Sequence, residues 1–142
     1  MKKILFLFLP LLIMTGCGKN NNNEKVDGRW YTQSQVDSGR VIFEKNCADC
    51  HGKNAQGTFN WTQKLPDGSY PPPPLNGTAH TWHHSLSILK RTINNGGIPL
   101  GGKMPGFKHK LTENEKNEVI AFFQSKWDKK IYDAWLKRGG LD

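Results

Sequence analysis

Cysteines are few in this 142-residue chain, and they occur only at positions 17, 47 and 50. No second cysteine pair is present to complete a four-cysteine zinc site. A disulfide between Cys47 and Cys50 would close a loop over two residues and constrain very little of the unfolded chain. A Cys-x-x-Cys redox pair is expected beside a βαβ pattern, which the sequence lacks. The pair therefore indicates another chemistry.

Long apolar runs are also missing, apart from one near the N-terminus. A pair of lysines precedes the run from Ile4 to Met14, which is too short for a helix that spans a bilayer. The run ends in small residues directly before Cys17. This layout predicts a secretory signal peptide at residues 1–16, and Pro10 disfavours the alternative of a retained N-terminal helix.

The residues around Cys17 resemble the lipobox of bacterial lipoproteins, in which the cysteine is lipidated and becomes the new N-terminus. We therefore expect an exported lipoprotein, anchored through Cys17 at the periplasmic face of a membrane. Residues 17–29 contain a run of four asparagines and no apolar periodicity. They are predicted to form a flexible, lipidated tether to a domain at residues 30–142.

Negative charge is scarce, because 12 acidic residues stand against 20 lysines and arginines, giving a formal net charge of +8. Such a charge favours anionic lipid or acidic protein partners. Nucleic acid is not expected as a partner, because the sequence has no arginine-rich stripe and no basic stripe interleaved with aromatic residues.

Hydrophobic periodicity predicts an all-α domain. The first helix is expected at about 34–46, and a middle helix at about 85–95, where two glycines end it. Thr112 is predicted to cap a strong final helix, with Glu115 completing a capping box. A tail helix is expected at 129–137, which brings the prediction to three to five helices.

The loops between these helices are long. Residues 47–57 are predicted to be a loop, 58–70 a short hairpin or an Ω-like loop, and 71–74 an extended proline strap. Residues 96–110 form a second predicted loop. Long ordered loops in so small a domain need something to pack against, and a haem would supply it.

The sequence Cys-Ala-Asp-Cys-His at positions 47–51 has the spacing of the c-type haem attachment motif. Two thiols at this spacing can add to the two haem vinyl groups, while the adjacent imidazole is positioned under the iron. We predict one haem c, covalently bound to Cys47 and Cys50, with His51 as an axial ligand.

Methionine usually fills the other axial position in electron-carrying cytochromes c. Met104 is the only methionine outside residues 1–16, and it lies in a loop of glycines and a proline that offers little local burial. It is therefore predicted to be the second axial ligand. The alternatives are His80, His83, His84 and His109.

Two of these histidines, His80 and His84, would lie one turn apart on a helix and could bind a metal ion. The simpler interpretation is a group of surface histidines, or histidines near the haem propionates.

From about Ser34 to Trp127 the chain resembles the single-haem cytochrome c family with histidine–methionine ligation. Gly39 and Phe43 match the family's glycine and aromatic residue on the first helix. Their partners on the last helix are matched by Val119 and Phe122.

The resemblance implies that the first and last helices pack together, with the glycine permitting a close approach. It also implies that the Pro73 carbonyl accepts a hydrogen bond from the ring N–H of His51, and that the fold wraps around one covalently bound haem. Segment 58–70, the histidine cluster and the tail after Trp127 depart from the minimal family pattern.

The function implied is electron transfer between exported or membrane-bound redox proteins. No catalytic residue and no small-molecule substrate are expected, because both axial positions of the iron would be filled. Four lysines flank the predicted haem loops and could steer an acidic partner: Lys53, Lys103, Lys108 and Lys110. The alternatives are a haem-based sensor, in which Met104 dissociates, and a haem subunit of a larger oxidoreductase complex.

Overall fold

A computed structural model of the chain describes residues 23–142, so the predicted signal peptide and Cys17 lie outside the described residues. This part of the chain is all-α, as predicted, and its only β feature is an isolated bridge between Lys25 and Thr32. The five helices are α1 (Gln33–Asn46), α2 (Ala48–His51), α3 (Leu86–Asn95), α4 (Glu113–Gln124) and α5 (Lys129–Lys137). Two 3₁₀ turns lie at His80–His83 and Ile98–Leu100.

Capping boxes begin both of the helices that form the centre of the fold. The Thr112 side chain accepts from the Glu115 backbone N–H at 3.2 Å, and the Glu115 carboxylate accepts from the Thr112 N–H at 2.8 Å, which confirms the predicted start of α4. Thr32 and Gln35 form the same reciprocal pair at the start of α1. This second box was not predicted from the sequence. It starts α1 at Gln33, one residue before the predicted start.

Helices α1 and α4 pack directly against each other. A Cβ atom at Gly39 would lie 1.9 Å from the Glu118 carbonyl oxygen, so only glycine fits at this crossing. Beside it, the rings of Phe43 and Phe122 lie 5.0 Å apart between centroids. The predicted packing of the first helix, α1, against the helix that is capped by Thr112, α4, is therefore confirmed. This contact fixes the position of the C-terminal end of α1, which leads into the Cys-x-x-Cys-His motif.

The tail helix α5 has the predicted bounds, 129–137, and it is part of the core. Tyr132 and Trp135 are buried. The Trp135 indole N–H donates to the His84 carbonyl oxygen at 2.8 Å, which holds the tail against the chain that enters α3.

Residues 26–29 lie inside the predicted tether but contact the folded domain. The Val26 N–H donates to the Tyr31 carbonyl oxygen at 2.9 Å. The Arg29 guanidinium donates to the Trp127 carbonyl oxygen at 2.9 Å and lies 4.1 Å from the centre of the Tyr132 ring. The prediction of a flexible tether was wrong for residues 26–29, because a polar composition does not show contacts with residues about a hundred positions away.

The loops differ from the prediction in two places. Residues 47–57 begin with the single turn α2, where only a loop was expected. Residues 58–70 form turns without paired strands, so the Ω-like alternative is the better description and the hairpin is wrong. The proline strap, residues 71–74, contains no helix or turn, as expected for four consecutive prolines, and Gly96, whose φ is +79°, ends α3. None of the helices in residues 23–142 combines the length and apolarity needed to cross a membrane.

Candidate haem-binding site

The attachment motif occupies a single helical turn at the end of α1. The Cys47 N–H donates to the Phe43 carbonyl oxygen at 2.8 Å, and the His51 N–H donates to the Cys47 carbonyl oxygen at 2.9 Å. Cys47 is half-buried, Cys50 is exposed, and neither thiol is bonded to another. Two free thiols and an imidazole are therefore presented by one turn, whose position is fixed by the helix that crosses α4.

His51 is the buried member of the motif, with 7% of its surface exposed. Its ring nitrogen Nδ1 lies 3.0 Å from the Pro73 carbonyl oxygen. Because a carbonyl can only accept, Nδ1 carries the hydrogen, and the lone pair is on Nε2, where a metal ion could be bound. Burial lowers the pKa of His51, and the Pro73 carbonyl opposes this effect only in part. The imidazole is thus held neutral, as metal ligation requires.

The proline strap is fixed against the loop that follows α2. The Thr58 N–H donates to the Pro72 carbonyl oxygen at 2.9 Å, and the Gly57 N–H donates to the His51 carbonyl oxygen at 2.7 Å. Gly57 has a φ of +56°, and a Cβ atom there would lie 2.4 Å from the Pro73 carbonyl carbon. A glycine is needed here so that the strap can come close enough to orient His51.

The electrostatics of Cys47 disfavour a redox dithiol. Burial raises the pKa of Cys47 to about 11, a shift that Lys110 opposes and Cys50 reinforces. The thiolate is the reactive form in dithiol exchange, and reactive cysteines have lowered pKa values. A thiol that stays protonated at neutral pH is a poor redox nucleophile.

Met104 lies in a loop, residues 96–107, which we call the Met104 loop. The Gly97 N–H donates to the Met104 carbonyl oxygen at 2.9 Å, and the Phe107 N–H donates to the Ile93 carbonyl oxygen at 2.8 Å. A Cβ atom at Gly106 would lie 2.6 Å from the Asn94 carbonyl oxygen. The glycines of this loop therefore let it fold tightly against the end of α3, while Met104 itself is partly buried against the core.

One short stretch of chain connects the Met104 loop with His51. The Tyr70 N–H donates to the Gly101 carbonyl oxygen at 2.8 Å, and Pro73 contacts His51. Three residues of extended chain reach at most about 10 Å. The strap thus links the two loops that carry the predicted axial ligands.

The histidine cluster has a different geometry from the one that its spacing indicated. His80 lies in a 3₁₀ turn rather than an α-helix, and its ring stacks on Trp61 with 4.6 Å between centroids. The rings of His80 and His84 are 5.2 Å apart and nearly perpendicular. Among residues 23–142, no group of three histidine, cysteine or acidic side chains could hold a metal ion. His109 is exposed.

Several side chains that support the site were not identified from the sequence. The Trp127 indole N–H donates to the Leu75 carbonyl oxygen at 2.8 Å, and the Thr81 hydroxyl donates to the Pro74 carbonyl oxygen at 2.9 Å. Lys103, one of the predicted docking lysines, is paired with Asp67. Trp127, just after α4, was the one available signal, since a buried indole usually needs an acceptor.

The residues present fit a haem c. Two free thiols, a neutral imidazole and a thioether form the donor set of a covalently bound haem with two axial ligands. Large apolar side chains are exposed on the surrounding loops, which suits an apolar macrocycle: Phe59 is 95%, Ile98 68% and Leu100 70% exposed.

This combination of an all-α fold and a Cys-x-x-Cys-His turn, whose histidine is held by a proline carbonyl, defines a c-type cytochrome domain. Residues 34–123 match the family described as cytochrome C oxidase, cbb3-type, subunit III, and the chain belongs to that family. Its fold and family support haem-based electron transfer as its function.

Two curated relatives are cbb3-type cytochrome c oxidase subunits. The FixP subunit of Sinorhizobium medicae is 27% identical over 112 residues, which cover 75% of this chain and 35% of the relative. The CcoP subunit of Azospirillum brasilense is 31% identical over 78 residues, which cover 55% of this chain and 24% of the relative. The chain thus spans about a third or less of these relatives' lengths. No solved structure matches it.

Proposed function

We propose that this chain carries one haem c, bound covalently through Cys47 and Cys50, and passes single electrons between exported or membrane-bound redox proteins. His51 and Met104 are the proposed axial ligands. The observation that carries the proposal is the contact between His51 Nδ1 and the Pro73 carbonyl oxygen, which leaves Nε2 of a buried, neutral imidazole beside two free thiols.

When bound, the haem would supply a reversible one-electron change at its iron, and His51 and Met104 would control that change. The Pro73 carbonyl orients His51 and increases its basicity as a ligand. The thioether of Met104 is soft and neutral, so it stabilises the reduced state relative to the oxidised one. If His51 and Met104 both held the iron, a bound haem would offer no free site to a substrate, which favours a carrier over an oxygenase or a peroxidase.

The proposed partners are redox proteins with an acidic docking surface. Lys53, Lys108 and Lys110 are exposed on the loops that carry the site. They can steer association through long-range attraction. Lys103 contributes less, because Asp67 neutralises it.

A second candidate function is that of a haem subunit in a larger oxidoreductase complex, with electron transfer as its part of the reaction. The family match favours it, together with relatives that are described as oxidase subunits. Co-purification of other subunits in mild detergent would favour the complex, and recovery of the chain alone would favour the free carrier.

Covalent attachment can be tested by extraction with acid and acetone. The colour of the wild-type protein should stay with the polypeptide, because thioether bonds survive this treatment. Replacing both Cys47 and Cys50 by serine should release the haem into the organic phase or prevent its incorporation. Cys17→Ser is the matched control, since it removes a cysteine outside the motif and should leave the attachment intact. Free haem and two titratable thiols in the wild-type protein would contradict the proposal.

We also propose that Cys17 is lipidated and becomes the N-terminus when residues 1–16 are removed. Several acyl chains anchor a protein stably, whereas one chain binds reversibly. Cys17→Ser should therefore yield a red protein in the soluble fraction, or leave the signal peptide uncleaved, as fractionation and mass spectrometry would show. A processed Cys17→Ser protein that stays with the membrane after a high-salt wash would rule out the lipid anchor.

A further inference from the structure

Segment 58–70, which departs from the minimal family pattern, is bound to the Met104 loop. The Tyr70 N–H donates to the Gly101 carbonyl oxygen at 2.8 Å. A Cβ atom at Gly101 would lie 3.3 Å from Cδ2 of the Tyr70 ring, so the ring rests against this glycine. The segment therefore contacts the loop through both backbone and side chain.

A second contact between these segments reaches the residue directly before Met104. The Lys103 ammonium is paired with Oδ2 of Asp67. The other oxygen, Oδ1, accepts from the Ser69 N–H at 3.0 Å and from the Ser69 hydroxyl at 2.6 Å. Lys103 and then Ser69 hold the pKa of Asp67 well below its usual range, so the carboxylate is charged at neutral pH. Asp67 is thus oriented by its own turn before it meets Lys103.

Within the Met104 loop, the Gly97 N–H donates to the Met104 carbonyl oxygen and the Gly102 N–H donates to the Gly97 carbonyl oxygen, both at 2.9 Å. Two further backbone contacts join the chain after Met104 to the C-terminal end of α3. The Phe107 N–H donates to the Ile93 carbonyl oxygen at 2.8 Å, and the Lys108 N–H donates to the Asn94 carbonyl oxygen at 3.3 Å. Both contacts lie after Met104 in the chain. The contacts of Tyr70 and Asp67 are the ones that join segment 58–70 to the part of the loop before Met104.

We propose that segment 58–70 is a brace that keeps the Met104 loop closed, with Asp67 as a positioning residue that acts on Met104 through Lys103. This inference rests on the proposed ligation by Met104. The side chains of Lys103 and Asp67 are 66% and 48% exposed, and such ion pairs contribute little to global stability. The brace therefore acts on the local opening of one loop rather than on unfolding of the domain.

A ligand that competes with the Met104 thioether reveals how often the loop is open. It binds only to the open form, so its apparent affinity rises in proportion to the open fraction. Imidazole is a suitable probe, because it is small and binds ferric haem through nitrogen. Weakening the brace should increase the affinity for imidazole without changing the ligands themselves.

The experiment is an imidazole titration of the full-length ferric holoprotein at low ionic strength, followed by its visible spectrum. Asp67→Lys and Lys103→Asp should each raise the apparent affinity about two- to five-fold. Each should also weaken the near-infrared band from sulfur-to-iron charge transfer. The double variant, Asp67→Lys with Lys103→Asp, restores an ion pair of opposite polarity and should return both readouts to near the wild-type values.

Asp27→Lys is the matched control, because it makes the same charge change at an exposed residue outside the brace. It should leave the affinity for imidazole unchanged. Single variants that bind imidazole like the wild type, or a double variant that shows the sum of the two single effects, would overturn the brace alone. A wild-type protein without the near-infrared band would instead overturn ligation by Met104, and the brace with it.

Discussion

Met104→His should lower the reduction potential of the haem while keeping its iron six-coordinate. A thioether stabilises ferrous iron, whereas an imidazole is a stronger donor that favours ferric iron. Axial ligands shift haem potentials over a range of about 0.8 V, so we expect a decrease on the order of 0.1 V or more. The measurement is a redox titration of the wild-type and variant holoproteins, together with the near-infrared spectrum of the oxidised forms.

The spectrum separates loss of the ligand from other changes in the site. The wild type should show the sulfur-to-iron charge-transfer band, and both Met104→His and Met104→Ala should lose it. His80→Ala and His84→Ala are the controls, since these rings contact each other and His80 stacks on Trp61. They should keep the band and the potential. If the wild type lacks the band, or if Met104→His leaves the potential unchanged, Met104 is not the ligand and the histidines become the leading candidates.

Gly39→Ala should destabilise the domain strongly, although the same change usually stabilises a helix. In an isolated helix the substitution gains up to about 1 kcal/mol from the lower backbone entropy of alanine in the unfolded chain. Here the added Cβ atom would lie 1.9 Å from the Glu118 carbonyl oxygen. Since a backbone atom cannot rotate away, α1 and α4 must separate, and the contact between Phe43 and Phe122 is lost. We expect a net loss of about 1–3 kcal/mol.

Chemical unfolding of the holoprotein measures this effect. Ser38→Ala is the matched control, because Ser38 is the exposed neighbour of Gly39 on α1. Its free energy of unfolding should stay within about 0.5 kcal/mol of the wild type. A Gly39→Ala protein as stable as the wild type would show that the two helices can move apart without loss, and the close crossing would then not be what positions the attachment turn.

Local sequence signals were sufficient wherever a structural feature depends on neighbouring residues. Thr112 and Glu115 form their capping box within one turn, so the start of α4 was predictable. Gly96 ends α3 with a φ of +79°, a conformation that glycine adopts readily. The strap of prolines could only be extended. The attachment motif needs no more than its own spacing to indicate haem.

Sequence reasoning failed where a residue's partner is distant or where an element is too short to show a period. Helix α2 has four residues, about one turn, which no periodicity can reveal. The predicted start of the folded domain, residue 30, lies too far along the chain, because Arg29 already contacts Trp127 and Tyr132. The prediction of a hairpin at 58–70 was wrong, because the turn signal at residues 66–68 does not show whether the flanking segments pair as strands.

What the sequence by itself determined is the chemistry: the thiols and the imidazole at their fixed spacing, a single methionine outside residues 1–16, and the helices that flank them. The tertiary structure decided how these groups are held. It decided that the Pro73 carbonyl meets His51, that Asp67 meets Lys103 across 36 positions of sequence, and that the tail helix belongs to the core. The reason is physical, because covalent spacing and helix capping act between neighbours, whereas the contacts that orient a ligand are made only after distant segments have packed together.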